Sequence, residues 1–159
     1  MDTLTYDAAR PDVAYSLLLQ HAFPSWLYSV DQGATTIWER WNSYTKDKGF
    51  GPVGMNSFNH YAYGAVLDWL YGTVAGIKPG KSGGFDEEFV LAPIPDKRLG
   101  FVEASYKTRK GVIKSSWKYD ESGACVYSFT IPAGSKAVVT FGGKTQECTS
   151  GSYTLKMTN

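Results

Sequence analysis

Cysteine is scarce: among 159 residues only Cys125 and Cys148 are present. Neither belongs to a metal-ligand spacing, which argues against a zinc site. They read as two free buried thiols, acting as small hydrophobes in a strand-rich region. A disulfide would need their Cα atoms within about 7 Å, which spacing alone does not establish. An excess of one charge is also missing. Sixteen basic and fifteen acidic residues leave a net charge of +1, and no basic block points to nucleic acid. The longest apolar stretch is broken by Asp68 and several glycines, so no membrane span is expected. The opening "MDTLTYDAARPD" lacks the basic start and apolar run of a signal peptide. A soluble chain is expected, with its compartment unassigned. There is no phosphate loop, no Ser-His-Asp spacing and no metal cluster, so neither cofactor nor metal is expected.

Aromatic residues, by contrast, are abundant at 15%, with five Trp and eleven Tyr. Such rings fill cores, and they also stack on the apolar faces of sugars. With 43% hydrophobic and 19% charged residues the chain carries enough apolar surface to fold.

The pattern changes near "IKPGKSGG", Ile77 to Gly84. Upstream, apolar residues follow a helical rhythm. Arg10 to His21 predicts a helix with Pro11 in its first turn. Pro24 and Ser25 open a short segment through Tyr28, Thr36 to Ser43 predicts a second short helix, and Asn56 to Ile77 a long one. That last run is apolar almost all round, so it needs neighbours on most sides, more than the few other helices provide. Downstream, Ile113, Ser115 and Trp117 alternate with Val112, Lys114 and Ser116, and Cys125, Tyr127, Phe129 and Ile131 continue the alternation. Turn signals at Asp120–Gly123, Pro132–Ser135 and Gly142-Gly143 separate the runs. The expected class is α+β: a helical segment over residues 1–80, then an antiparallel β-sandwich over 81–159.

The stretch "GATTIWERWNSYTK", Gly33 to Lys46, flanks Glu39 and Arg40 with Trp38 and Trp41. Thr36 precedes Glu39 by three residues, the spacing of a capping box at a helix start. Alternatively, Trp38 or Trp41 shields the carboxylate, a setting suited to proton transfer. Arg40 could pair with it or bind elsewhere. In "MNSFNHYAYGAV", a helix would place Asn56, His60 and Gly64 on one face. Such a face could admit a polar ligand, or His60 could be a core histidine held by Asn56 or a neighbouring carbonyl. The run "YKTRKGVIK" reads as the basic tip of a solvated hairpin. His21 suits a helix C-terminus.

"PSWLYSVDQGATTIWERWNSY" followed by "MNSFNHYAYGAVLDWLYGTVAGI" resembles the end of the catalytic domain of bacterial α-L-rhamnosidases, glycoside hydrolase family 78. "FVLAPIPDKRLGFVEASYKTRKGVIKSSWK" is similar to the β-sandwich domain that follows it. The resemblance runs from about Ala8 to Leu155. It implies that residues 1–80 are the last helices of an (α/α)6 barrel, which would explain the all-round apolar helix. It also implies removal of terminal α-L-rhamnose from glycans or glycosides by inversion. Glu39 then stands at the position of the general base and His60 at that of a rhamnose contact, with Trp38 and Trp41 walling the sugar pocket; Asn56, from its spacing to His60, is a further expected substrate-binding residue. The family's general acid lies upstream, so the resemblance implies a piece of a larger enzyme with little or no activity alone. Its exposed helical faces would self-associate or capture the missing barrel portion. The competing reading is a noncatalytic module whose β-sandwich binds carbohydrate or another protein.

Overall fold

The computed structural model describes residues 10–157, so residues 1–9 and 158–159 of the two expected domains lie outside the described residues. The chain divides into two compact units, one ending at Leu67 and the other beginning at Asp68.

In the first unit, α1 spans Pro11–Leu18 and buries Ala14 and Tyr15. Proline suits this start because its missing N–H would have no helical acceptor there. A cis peptide joins Phe23 to Pro24. The second helix, α2, covers Trp26–Asp31. Ser25 caps it from an extended backbone, its Oγ accepting the Tyr28 amide at 3.0 Å. His21 does not end a helix; its Nδ1 lies 2.7 Å from Asp31 Oδ2.

Two expected helices do not form as predicted. Thr36–Ser43 is a succession of bends and turns, and Asn56–Tyr61 is irregular apart from bends. The cause is lateral pairing. The Glu39 amide donates to Ser57 O at 2.9 Å and the His60 amide to Ile37 O at 2.8 Å. Amides bonded sideways are unavailable for helical i to i−4 bonds, so tertiary pairing overrides the helical rhythm. The helical face shared by Asn56, His60 and Gly64 is therefore absent. Between the two segments, β1 (Tyr44–Thr45) and β2 (Gly49–Phe50) form a minimal antiparallel pair. Helical structure resumes as a 3-10 turn at Ala62–Ala65, then α3 at Val66–Trp69 and a π-type turn at Leu70–Val74.

The second unit is a β-sandwich with sheet orders β10-β7-β6-β5 and β3-β4-β8-β9. Its strands are β3 (Ile77–Pro79), β4 (Glu88–Leu91), β5 (Phe101–Thr108), β6 (Gly111–Tyr119), β7 (Cys125–Ile131), β8 (Lys136–Phe141), β9 (Lys144–Cys148) and β10 (Gly151–Met157). Every pairing is antiparallel except β4 with β8, which is parallel. Alternation does the sorting: Cys125, Tyr127, Phe129 and Ile131 point inward from β7, and Ile113, Ser115 and Trp117 from β6. Phe89, Leu91 and Val139 from the other sheet are fully buried. Each such large apolar side chain stabilises the unit by about 1.5–3 kcal/mol. Two buried polar side chains are satisfied where the chain enters the sandwich: Trp117 Nε1 donates to Val74 O at 2.7 Å, and Ser115 Oγ to Ala75 O at 2.6 Å.

The predicted turns are present. Asp120 Oδ1 accepts the Ser122 amide and hydroxyl and the Ala124 amide, tying down the β6–β7 connection. Gly142 and Gly143 both have positive φ, 53° and 75°, as a two-residue hairpin turn requires. At Gly142 a Cβ would also lie 2.0 Å from Met157 Sδ. Cys125 and Cys148 are buried, free thiols, and burial pushes the Cys125 thiol up. Among the described residues, no helix is long and apolar enough to cross a membrane.

Candidate active site

The lateral pairing that dissolves the two expected helices also builds the site. It lays residues 36–39 beside 57–60, so the two sequence motifs become neighbours through their backbones. Glu39 is bound twice across this seam: its amide donates to Ser57 O, and its Oε2 accepts the Ser57 amide at 2.7 Å. The capping box is thereby excluded, because the carboxylate meets an amide eighteen residues downstream rather than its own helix start. Thr36 does not cap either; its hydroxyl donates to Phe58 O.

One carboxylate oxygen of Glu39 is thus anchored, while Oε1 has no hydrogen-bond partner among the described residues. Arg40 leaves the carboxylate alone: its guanidinium donates to Gly54 O at 3.1 Å. No basic side chain among the described residues forms an ion pair with Glu39. A half-buried carboxylate with a fixed orientation and one open oxygen can take a proton from water.

Two aromatic clusters hold the seam. Trp38, 7% exposed, meets Phe58 edge-on at 5.3 Å and Tyr44 at 6.5 Å. Trp41 stacks on Tyr63 with ring centroids 3.8 Å apart and meets Trp26 edge-on at 5.2 Å. Trp26 Nε1 in turn donates to Tyr63 O at 3.0 Å. The tryptophans that bracket Glu39 in sequence therefore enter separate clusters, one on each side of it along the chain. Tyr63, whose position near His60 suggests a hydroxyl contact, instead stacks its ring on Trp41. Residue order does not single out Phe58 or the Ser57 amide as members; the aromatic richness of "NSFNHYAYG" hints at the first, whereas a backbone donor leaves no mark in residue identity.

His60 is half-buried, its ring parallel to that of Tyr61 with centroids 5.9 Å apart. Nδ1 accepts a long bond of 3.4 Å from the Ala62 amide, and Nε2 has no partner among the described residues. Asn56 does not hold His60. Its Nδ2 reaches Ser43 O at 3.2 Å and Gly51 O at 3.4 Å, which stitches the β1–β2 loop, while its buried Oδ1 has no hydrogen-bond partner among the described residues. Asn56 and Arg40 also border a cleft of about 500 Å³, whose walls include Phe23, Tyr28 and Phe50 but neither Glu39 nor His60. Among the described residues no group of three or more His, Cys, Asp or Glu could hold a metal ion.

Comparison with known proteins settles the kinship of this arrangement. Residues 76–156 match the family model for the bacterial alpha-L-rhamnosidase C-terminal domain, and residues 1–74 that for the bacterial alpha-L-rhamnosidase 6 hairpin glycosidase domain. This chain belongs to the bacterial α-L-rhamnosidase family. An alpha-L-rhamnosidase of Alteromonas sp. (strain LOR) is 46% identical over 126 residues, covering 79% of this chain and 13% of the relative. One from Formosa agariphila is 50% identical over 107 residues, 67% of this chain and 11% of the relative. The crystal structure of Streptomyces avermitilis alpha-L-rhamnosidase complexed with L-rhamnose superposes with a TM-score of 0.86 at 34% identity. It covers 99% of this chain and 17% of its own. This chain thus spans less than a fifth of the length of each of these relatives.

Proposed function

We propose that this chain supplies the general-base side of an inverting α-L-rhamnosidase. Glu39 takes the proton from water as that water attacks the anomeric carbon of a terminal rhamnose. His60 contacts the sugar through its open Nε2. Trp38 and Trp41 shape the wall, Trp38 from behind through Phe58, and Asn56 keeps the neighbouring loop in place. Residues 1–80 act as the closing part of a glycosidase barrel, and 81–159 as the sandwich that follows it. The observation carrying this reading is the Glu39–Ser57 bond, which fixes one carboxylate oxygen and leaves the other open within paired family motifs.

Inversion requires a second carboxyl group about 6.5–9.5 Å away to protonate the leaving oxygen. In this proposal that acid comes from barrel residues outside these 159, and so do most of the sugar contacts. The substrate is a rhamnose-terminated glycan or glycoside, and the chain alone releases little or no rhamnose.

The test is to graft residues 1–159 in place of the matching portion of the Streptomyces avermitilis enzyme and follow hydrolysis of an aryl α-L-rhamnoside. The graft is expected to be active, and Glu39→Gln to lower kcat by about 10²–10⁴-fold. An active graft indifferent to Glu39→Gln would overturn the assignment of the base. Rhamnose release by the isolated chain, abolished by the same substitution, would overturn the requirement for an outside acid.

A further inference from the structure

The outward face of the β10-β7-β6-β5 sheet plays no part in the Glu39 site, yet its register makes an ordered grid. One row crosses the four strands as Lys156, Val126, Lys118 and Phe101. In the next two rows every position is serine or threonine except Glu103 and Lys114. Neighbouring strands are about 4.8 Å apart and successive rows about 6.8 Å. The hydroxyls are only lightly engaged: Thr130 and Ser152 hydroxyls approach at 3.4 Å, and the Ser116 hydroxyl donates to the Ser128 backbone carbonyl at 3.4 Å.

Lysines on sheet edges are explained by protection against edge-to-edge pairing. Lys114 and Lys118 are not on an edge, because β6 is paired on both sides. Neither forms an ion pair among the described residues, whereas Lys156 meets Asp120 at 2.7 Å. A shallow groove of about 240 Å³ runs past Phe101, Glu103, Ser116 and Lys118. A second, open hollow of about 580 Å³ is bounded by Lys118, Tyr119, Asp120, Glu121, Ser122 and Lys156, so the two share Lys118, and the lysines here stand beside two carboxylates. Phe101, 64% exposed, ends the row with a bare ring.

We infer that this face binds a sugar chain bearing anionic groups, carboxylate or sulfate. Hydroxyls that donate and accept match a polyol. The exposed Phe101 ring suits the C–H face of a pyranose, and Lys114 and Lys118, whose Cα atoms stand about 14 Å apart along β6 and which form no ion pair among the described residues, suit anions spaced along a repeating polymer. Glu103 and Asp120 on the same side disfavour the continuous phosphate charge of nucleic acid. This binding is independent of Glu39 and of the catalytic reading.

The test is affinity electrophoresis of the 159-residue chain in gels containing polygalacturonate, dextran sulfate, neutral dextran or duplex DNA. Retardation is expected with polygalacturonate or dextran sulfate, the two arms separating carboxylate from sulfate recognition, and none with dextran. The double variant Lys114→Ala/Lys118→Ala should bind about tenfold more weakly. The charge-matched Lys81→Ala/Lys144→Ala, with both changes outside this sheet, should bind as the parent does. Phe101→Ala should weaken binding without altering its salt dependence. The inference is overturned by absence of retardation in both anionic gels, by equal retardation with DNA or dextran, or by equal losses in the two double variants.

Discussion

The two compact units solve the same problem, satisfying backbone polar groups, by different means. In the unit from Asp68 onward, continuous strand ladders pair the amides, and side chains are left to sort themselves inward or outward. In the unit ending at Leu67 much of the backbone between residues 32 and 63 is tied by side chains. Ser29 Oγ bonds Trp41 O, Gln32 Oε1 accepts the Lys46 amide, Asn56 bonds two carbonyls, and Trp26 holds Tyr63 O. A ladder is periodic and tolerates variation at any single outward position. A scaffold of individual ties can fix a single group, such as the Glu39 carboxylate, in one orientation, but each tie stands alone.

Three substitutions probe this contrast. The largest effect belongs to Trp117→Ala, which empties the sandwich core and strands the Val74 carbonyl. A loss of about 3–5 kcal/mol in chemical denaturation is expected, and a loss below 1 kcal/mol would mean that the ladders, not the core, carry this unit. In the tied unit Ser25→Ala removes one cap, and hydrogen exchange at the α2 amides should accelerate by an amount equivalent to about 1 kcal/mol. No change there would show that aromatic stacking, rather than capping, holds α2. The smallest effect concerns the β6–β7 turn. Lys156, with help from the Ser122 hydroxyl, holds the Asp120 carboxyl well below the usual carboxylate range. A carboxylate depressed in the folded state contributes stability above its unfolded value, near pH 4, and loses that contribution as pH falls through the folded value. The melting-temperature gap between the parent and Asp120→Asn should therefore be fully present at neutral pH and shrink on acidification below about pH 4. A gap that widened with acid would reverse the sign of this linkage.

The same contrast explains what could be read from residue order alone. β6 and β7 were legible because each buries one face, so inward residues alternate with outward ones for seven or more positions. The turns were legible because Asp120 and Gly142-Gly143 carry their geometry in their own chemistry. β9 was not, since four of its five residues are exposed and leave no alternation. Within the site, Glu39 and His60 stood out by residue type and resemblance. Their setting was misread, because the periodicity of Asn56–Tyr61 fits a helix as long as nothing competes for its amides. The competitor, Ile37–Glu39, lies some twenty residues away, beyond the reach of any local pattern. Trp38 was expected beside a sugar and is a nearly buried ring packed on Phe58, a distinction that burial reveals and sequence does not.

The parallel pairing of β4 with β8 carries a consequence for how the chain is made. Glu88–Leu91 pairs with β3 on one side and with Lys136–Val139 on the other, so the second side of the β3–β4 hairpin has no strand to meet until β5, β6 and β7 have left the ribosome. At about 5–20 residues per second the wait lasts seconds, during which Phe89 and Leu91 sit in an open sheet margin that invites pairing with another nascent copy. Crowding of nascent copies and chaperone supply then bear on the yield of this protein beside the stability of the finished sandwich.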